Sequence, residues 1–153
     1  MNALSMLMTD TITVYNYRSY KDGTTMKSRW DRTVISGVQW KEAANRNVSS
    51  DGTSKMDYSV SITIPANAKT EGGKIYTRPD LYASLPLEDI THWTLDFKQG
   101  KDVIVHGLCE RETDDRYTIT RLKKDYPACD IKAVSDNRNH AVPDLRHWKV
   151  QGI

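Results

Sequence analysis

The sequence predicts an all-β chain: a mainly antiparallel small β-barrel or sandwich, with one short helix near 118–126 and two long polar loops. Three observations carry this. Several stretches alternate polar and apolar residues with period two, and Gly, Pro, Asn and Asp punctuate them. The segment from Asp130 to Gly152 reads as a strand, a polar turn and a closing strand. At 153 residues the chain fits a single barrel-like domain over 1–153, large enough for a core without staples. Only 38% of residues are hydrophobic, so the core must be thin and the connections polar.

Residues 1–10 are expected to form an extended N-terminal arm. They lack the basic leader and the apolar run of a signal peptide, so the chain is expected to stay in the cytoplasm where it is made. From Thr11 to Asn16 the alternation places Ile12 and Val14 inward, and Asp22-Gly23 predicts a type I′ hairpin turn. Arg29 to Ile35 returns as a second strand, with a bulge expected at Ser36-Gly37 before Val38-Gln-Trp40. Residues 42–57 hold almost nothing apolar and read as a long mobile loop or hairpin tip.

Tyr58 to Pro65 is the clearest strand, with Val60, Ile62 and Ile64 on one face and Pro65 ending the ladder. Residues 66–91 read as a second long connection, where Pro79 and Pro86 argue against regular structure and Lys74–Thr77 supplies a short strand piece. Trp93–Phe97 and Asp102–His106 are expected to pair as a hairpin around Gln99-Gly100. Thr118 as N-cap, Ile119 and Leu122 three apart, lysines in the last turn and Pro127 beyond it predict the helix.

Chemistry is hard to place on this chain. A charged fraction of 27% with net charge +2 lacks the concentrated basic face of a nucleic-acid binder. Cys109 and Cys129 are too few for a disulfide framework and form no C-x-x-C pair, so reduced thiols are expected. His92, His106, His140 and His147 show no metal-ligand spacing, and no metal or cofactor is expected. Glu110, Glu112, Asp114 and Asp115 lie in one polar run and read as a solvated face; the acidic neighbours of Cys109 disfavour its thiolate. Neither a phosphate loop nor a serine nucleophile elbow occurs. The expectation is a non-enzyme with no catalytic, cofactor or metal residues. Tyr15, Tyr17 and Tyr20 beside Arg18, Lys21, Lys27 and Arg29 leave open a stacking platform for single-stranded nucleic acid, as on an OB-type barrel.

Further residues carry a resemblance. They are Trp93-Thr-Leu with Lys101-Asp-Val-Ile-Val-His-Gly107, Thr118 to Tyr126, Ile131 to Arg138, and Leu145 to Gly152. Thr13-Val-Tyr-Asn16 and Arg32 to Trp40 add to them in the front half. Together they resemble the head–tail connector and head-closure (stopper) neck proteins of tailed bacteriophages. The resemblance implies a virion structural protein of the neck, assembled in the bacterial cytoplasm into a ring, six- or twelve-fold. Such a ring joins the portal to the tail and helps seal or gate the DNA channel. Its implied partners are copies of itself, a portal or adaptor protein on the head side, and a tail terminator or tail tube protein on the tail side. Non-specific contact with packaged DNA is implied, and membrane contact is not. Within that frame Arg46, Asn47, Ser49, Asp51 and Lys55 are expected on a channel or docking loop, and His147 and Trp148 at an inter-subunit docking strand. A tail terminator, a tail completion protein or a minor capsid protein fits the same composition.

Overall fold

The computed structural model describes residues 7–153. Its main elements are β1 (Asp10–Asp22), β2 (Thr25–Val48), β3 (Ser54–Pro65), β4 (Lys69–Thr70), β5 (Ile75–Tyr76), helix α1 (Pro79–Ser84) and β6 (His92–Trp93). β7 (Val103–His106), helix α2 (Ile119–Asp125), β8 (Ala128–Asp136) and β9 (His147–Gly152) follow. Six strands close into an antiparallel barrel in the order β1-β7-β8-β9-β3-β2, with β2 pairing back onto β1. Two three-stranded meanders, β1-β2-β3 and β7-β8-β9, thus meet along two seams, β3–β9 and β1–β7. Closure removes the open edges that an antiparallel sheet otherwise exposes.

The barrel interior follows the pleat. Ile12, Val14, Ile35, Val38, Trp40, Val60, Ile62, Ile64, Ile104, Cys129, Ile131, Trp148 and Val150 fill it together with Trp93 and Leu95. Inward residues are odd-numbered on β2 before Gly37 and even-numbered after it. The register of β1 against β2 shifts at this point, and Gly37 takes φ +80° there, so the predicted bulge is present. A second shift, between Ile131 and Ala133 on β8, hands the inward role from Ile131 to Val134. Gly152 is required by space rather than by torsion: a Cβ there would lie 2.5 Å from Cys129 Sγ and 2.9 Å from the Asp130 carbonyl oxygen.

A second layer lies outside the barrel. Tyr15, Val103 and Val105 point outward and are buried by Cys109, Tyr117 and Leu122 of the segment carrying α2. That helix starts where expected, with Thr118 Oγ1 accepting from Arg121 N at 3.3 Å. β1 is therefore covered on both faces, which explains why Thr13 and Asn16 are buried along with its apolar residues.

Three expectations need correction, and a fourth resolves between its two alternatives. The turn between β1 and β2 is Gly23-Thr24, and only Gly23 has positive φ, which is the type II′ pattern and not type I′. The reason is that Thr24, being β-branched, is disfavoured in the left-handed region a type I′ turn would demand. Residues 93–97 do not pair with β7. β6 joins β5 in a parallel pair, and the Asp102 carboxylate, not a ladder, holds the following loop. Pro79 does not exclude regular structure, because it opens α1 at a position whose N–H is not needed. Finally, of the two readings of 42–57 the hairpin is the one found: β2 and β3 pair as far as Val48↔Ser54 and close in a tip at 49–53.

Of the expected N-terminal arm, residues 1–6 lie outside the described residues. Met8 is buried, and β1 has begun by Asp10, whose carboxylate accepts from Trp40 N at 2.9 Å.

Candidate assembly interface

The strand pairs β1–β2 and β2–β3 both run past the barrel, from opposite ends. At one end β7 stops pairing with β1 at Tyr15, and the ribbon of 16–31 continues alone. It is propped from the side. Arg18 donates to the carbonyls of Leu85 (2.5 Å) and Pro86 (3.3 Å), and Arg29 to that of Leu87 (2.6 Å). The Tyr82 hydroxyl donates to Asp31 at 2.9 Å, and Trp30 Nε1 to the Lys101 carbonyl at 3.0 Å.

At the other end β9 stops at Gly152, opposite Val60. Beyond it β2 and β3 pair with each other from Ala43↔Ser59 to Val48↔Ser54. At about 3.3 Å per residue these six pairs make an arm of roughly 20 Å. Among the described residues no further strand pairs with its outer edges. Strand pairing satisfies the backbone of this stretch whatever its side chains, so it forms with few apolar residues.

Its tip is organised. Ser49 N donates to the Thr53 carbonyl at 2.8 Å, Gly52 N to that of Ser49 at 3.0 Å, and Gly52 takes φ +87°. Asp51 accepts from the hydroxyls of Ser49 and Thr53 and from Thr53 N, and these donors hold its carboxyl down at about 2. At its base Glu42 accepts from Trp40 Nε1 at 3.0 Å, and the Trp40 and Tyr58 donors lower its carboxyl below the usual range. Trp40 itself stacks on His106, ring centroids 4.7 Å apart.

One face of the arm continues the inward line of the barrel. On β3 the inward residues are even-numbered, and Tyr58 follows in that line from Val60; on β2 Glu42, Ala44, Arg46 and Val48 follow from Trp40. Past the barrel end there is no interior for them to enter. Tyr58 is 47% and Val48 66% exposed. Sequence reasoning counted Tyr58 only as the start of a strand. The signal was available in its even-numbered position, but the point at which β9 ends was not.

The expected loop residues therefore sit on ordered structure: Arg46 and Asn47 on β2, Lys55 on β3, and Ser49 and Asp51 in the tip turn. The docking pair separates. Trp148 is 4% exposed and belongs to the barrel interior, so its expected role as a docking contact is corrected: β9 alternates, and Trp148 shares its inward face with Val150. His147 is half-buried, with Nδ1 2.7 Å from the Leu145 carbonyl.

The tyrosine platform is also dismantled. Tyr15 is fully buried and donates to the Arg111 carbonyl at 2.5 Å, while burial and Cys109 push its hydroxyl far above the usual range. Arg18 is buried, and Tyr17 is engaged edge-on by Trp30 and covered by Lys101. Glu110, Glu112, Asp114 and Asp115 are all exposed. Cys109 lies in the outer layer and Cys129 in the barrel interior, both unbridged. Among the described residues no three His, Cys, Asp or Glu side chains gather as metal ligands, and no helix is long and apolar enough to cross a membrane.

No curated protein and no solved structure matches the chain. A family model described as a family of unknown function, DUF6751, matches residues 7–153, and the chain belongs to that family.

Proposed function

We propose that this chain is a virion structural protein of the phage neck, which forms a ring with copies of itself, joins portal to tail, and helps seal or gate the DNA channel. In this reading it is not an enzyme, and the portal or adaptor protein and the tail terminator or tail tube protein are its neighbours. One observation supports it beyond the resemblance. The arm of 43–59 carries the barrel's inward face out into solvent, with Tyr58, Ala44 and Val48 on it. A two-stranded ribbon is at best marginally stable alone, and exposed apolar side chains on it gain by meeting another surface. The barrel supplies a rigid base, and the arm supplies a clasp.

The test is to replace 44–58 with a two-residue Asn-Gly turn joining Ala43 to Ser59, which are partners in the ladder. The expected protein keeps its barrel, melting within a few degrees of the parent. Phage carrying it give full heads without tails, or particles that lose DNA, in negative-stain images. An unfolded variant would place the arm in the core. Normal tailed particles would remove the clasp. Free tails accumulating beside tail-less heads fit the neck, whereas tails of uncontrolled length would instead mark a tail terminator.

A further inference from the structure

At the barrel end opposite the arm, a pocket of about 290 Å³ opens between Tyr76, Trp93, Trp148, Lys74 and Arg138, with Ala66 and Ala68 leaving the room. Three rings form its apolar wall. Trp93 and Trp148 meet edge to face at 5.4 Å, and Tyr76 contacts both, at 5.2 and 4.7 Å. The Arg138 guanidinium lies over Tyr76 at 4.7 Å and over Trp148 at 4.8 Å. Asp136 fixes it there, accepting from Nη2 at 2.7 Å and from Nε at 2.9 Å.

A count of donors and acceptors defines what the pocket lacks. The Trp148 indole nitrogen is sealed from solvent, so the ring serves the pocket as a wall and not as a donor. Lys74 Nζ donates to the Arg32 carbonyl at 2.7 Å and to Thr33 Oγ1 at 3.1 Å, which leaves one of its three hydrogens. Arg138 spends Nε and one Nη2 hydrogen on Asp136, so Nη1 stays uncommitted. Thr70 Oγ1 is already turned to the Lys74 carbonyl at 2.8 Å. Among these side chains donors are in surplus. With Asp136 cancelling Arg138, Glu71 paired to Arg32 and Asp31 paired to Arg29, the Lys74 charge is left over.

We propose that this pocket binds a carboxylate carried on a flat apolar body, with Lys74 and Arg138 as donors and the three rings, Trp148 among them, as walls. A cation is rejected by the same charges, and a purely apolar group would leave them uncompensated. The volume suits one aromatic ring with its carboxylate, whether free or at the end of a peptide. The inference stands apart from the neck reading, since it concerns the opposite end of the barrel.

The test uses the whole chain with ¹⁵N-labelled tryptophan, reading the indole N–H resonance of Trp148, assigned by its loss in W148F. The probes are benzoate, N-acetyl-Gly-Phe with a free carboxylate, and the neutral amides benzamide and N-acetyl-Gly-Phe-amide. The Trp148 resonance is expected to move saturably with at least one carboxylate and with neither amide. Arg138→Gln and Lys74→Met should each weaken the response by about ten- to a hundredfold, the loss of one charge-assisted hydrogen bond. The Trp93 resonance, unmoved in these variants, reports that the wall is intact. Response to benzoate alone marks a small-molecule site, and to the peptide alone a docking site for a chain end. No movement with either carboxylate, equal movement with the amides, or full response in both variants would overturn the assignment.

Discussion

Asp102 is the point at which the barrel's end closure is tied to β1, and Asp102→Asn tests how. Its carboxylate is 2% exposed. Oδ1 accepts from Tyr17 N at 2.8 Å, and Oδ2 accepts from Asn16 Nδ2 at 2.9 Å and from Asp96 N at 3.0 Å. Asn16 in turn clamps Thr94, donating to its carbonyl at 2.7 Å and accepting from its N–H at 3.1 Å. Burial, opposed by the three N–H donors and reinforced by nearby Asp96, pushes the carboxyl up to about 7. An asparagine keeps the shape but must turn its NH₂ toward a donor. The smaller loss is against Tyr17 N, about 1–3 kcal/mol for one buried donor left unmade.

The pH dependence runs the other way. With a folded pKa raised from 3.8 to about 7, the native state holds a proton that the unfolded chain has released. The linked stabilisation is complete below the unfolded value and is lost as pH rises to 7. At 1.36 kcal/mol per pH unit this amounts to about 4 kcal/mol. Urea unfolding followed by tryptophan fluorescence, at half-unit steps from pH 4 to 8, should show the parent falling against D102N. The gap between the two should move by about 1.36 kcal/mol per pH unit in favour of the variant between pH 4 and 7. Parallel curves would refute the reasoning, for they would mean that the three N–H donors keep the carboxylate ionised in spite of its burial.

Three further outcomes follow from the packing. Gly152→Ala should cost about 1–3 kcal/mol or more by overpacking, and pairing it with Cys129→Ala should recover only part, because the Asp130 carbonyl and the Cys129 Cβ, both 2.9 Å from the new methyl, remain; full recovery in a double-mutant cycle of urea midpoints would show that the sulfur alone sets the limit. Burial pushes the Cys129 thiol up to about 12, with Asp130 adding to it, so titration of the folded protein with a thiol reagent at pH 8 should leave it unmodified until urea unfolds the barrel. Thr118→Ala removes the acceptor for Arg121 N and should lower the melting free energy by about 1 kcal/mol, whereas Thr118→Ser should leave it nearly unchanged.

Much of the barrel was legible because its rules are local. The period of two on β3 and β9, the bulge at Gly37 and the cap at Thr118 each rest on residues adjacent in the chain. Where the reading failed, a distant group decided the outcome. The loop after β6 follows the Asp102 side chain rather than a ladder, and no spacing rule announces that a carboxylate will take the place of strand pairing. Trp148 is expected at a docking strand only through the resemblance to neck proteins. Only the closure of β9 against β3 puts it inside.

The amino-acid sequence by itself determined an all-β chain with a thin core, the helix at Ile119–Asp125 and the inward faces of its central strands, since pleat, capping and turn propensity act over a few residues. Only the tertiary structure decided that two meanders close into a barrel and that the polar stretch of 43–59 is an arm and not a loop. The physical reason is one of range. Whether Tyr58 is buried or exposed depends on where β9 stops, nearly a hundred residues later, at Gly152 opposite Val60.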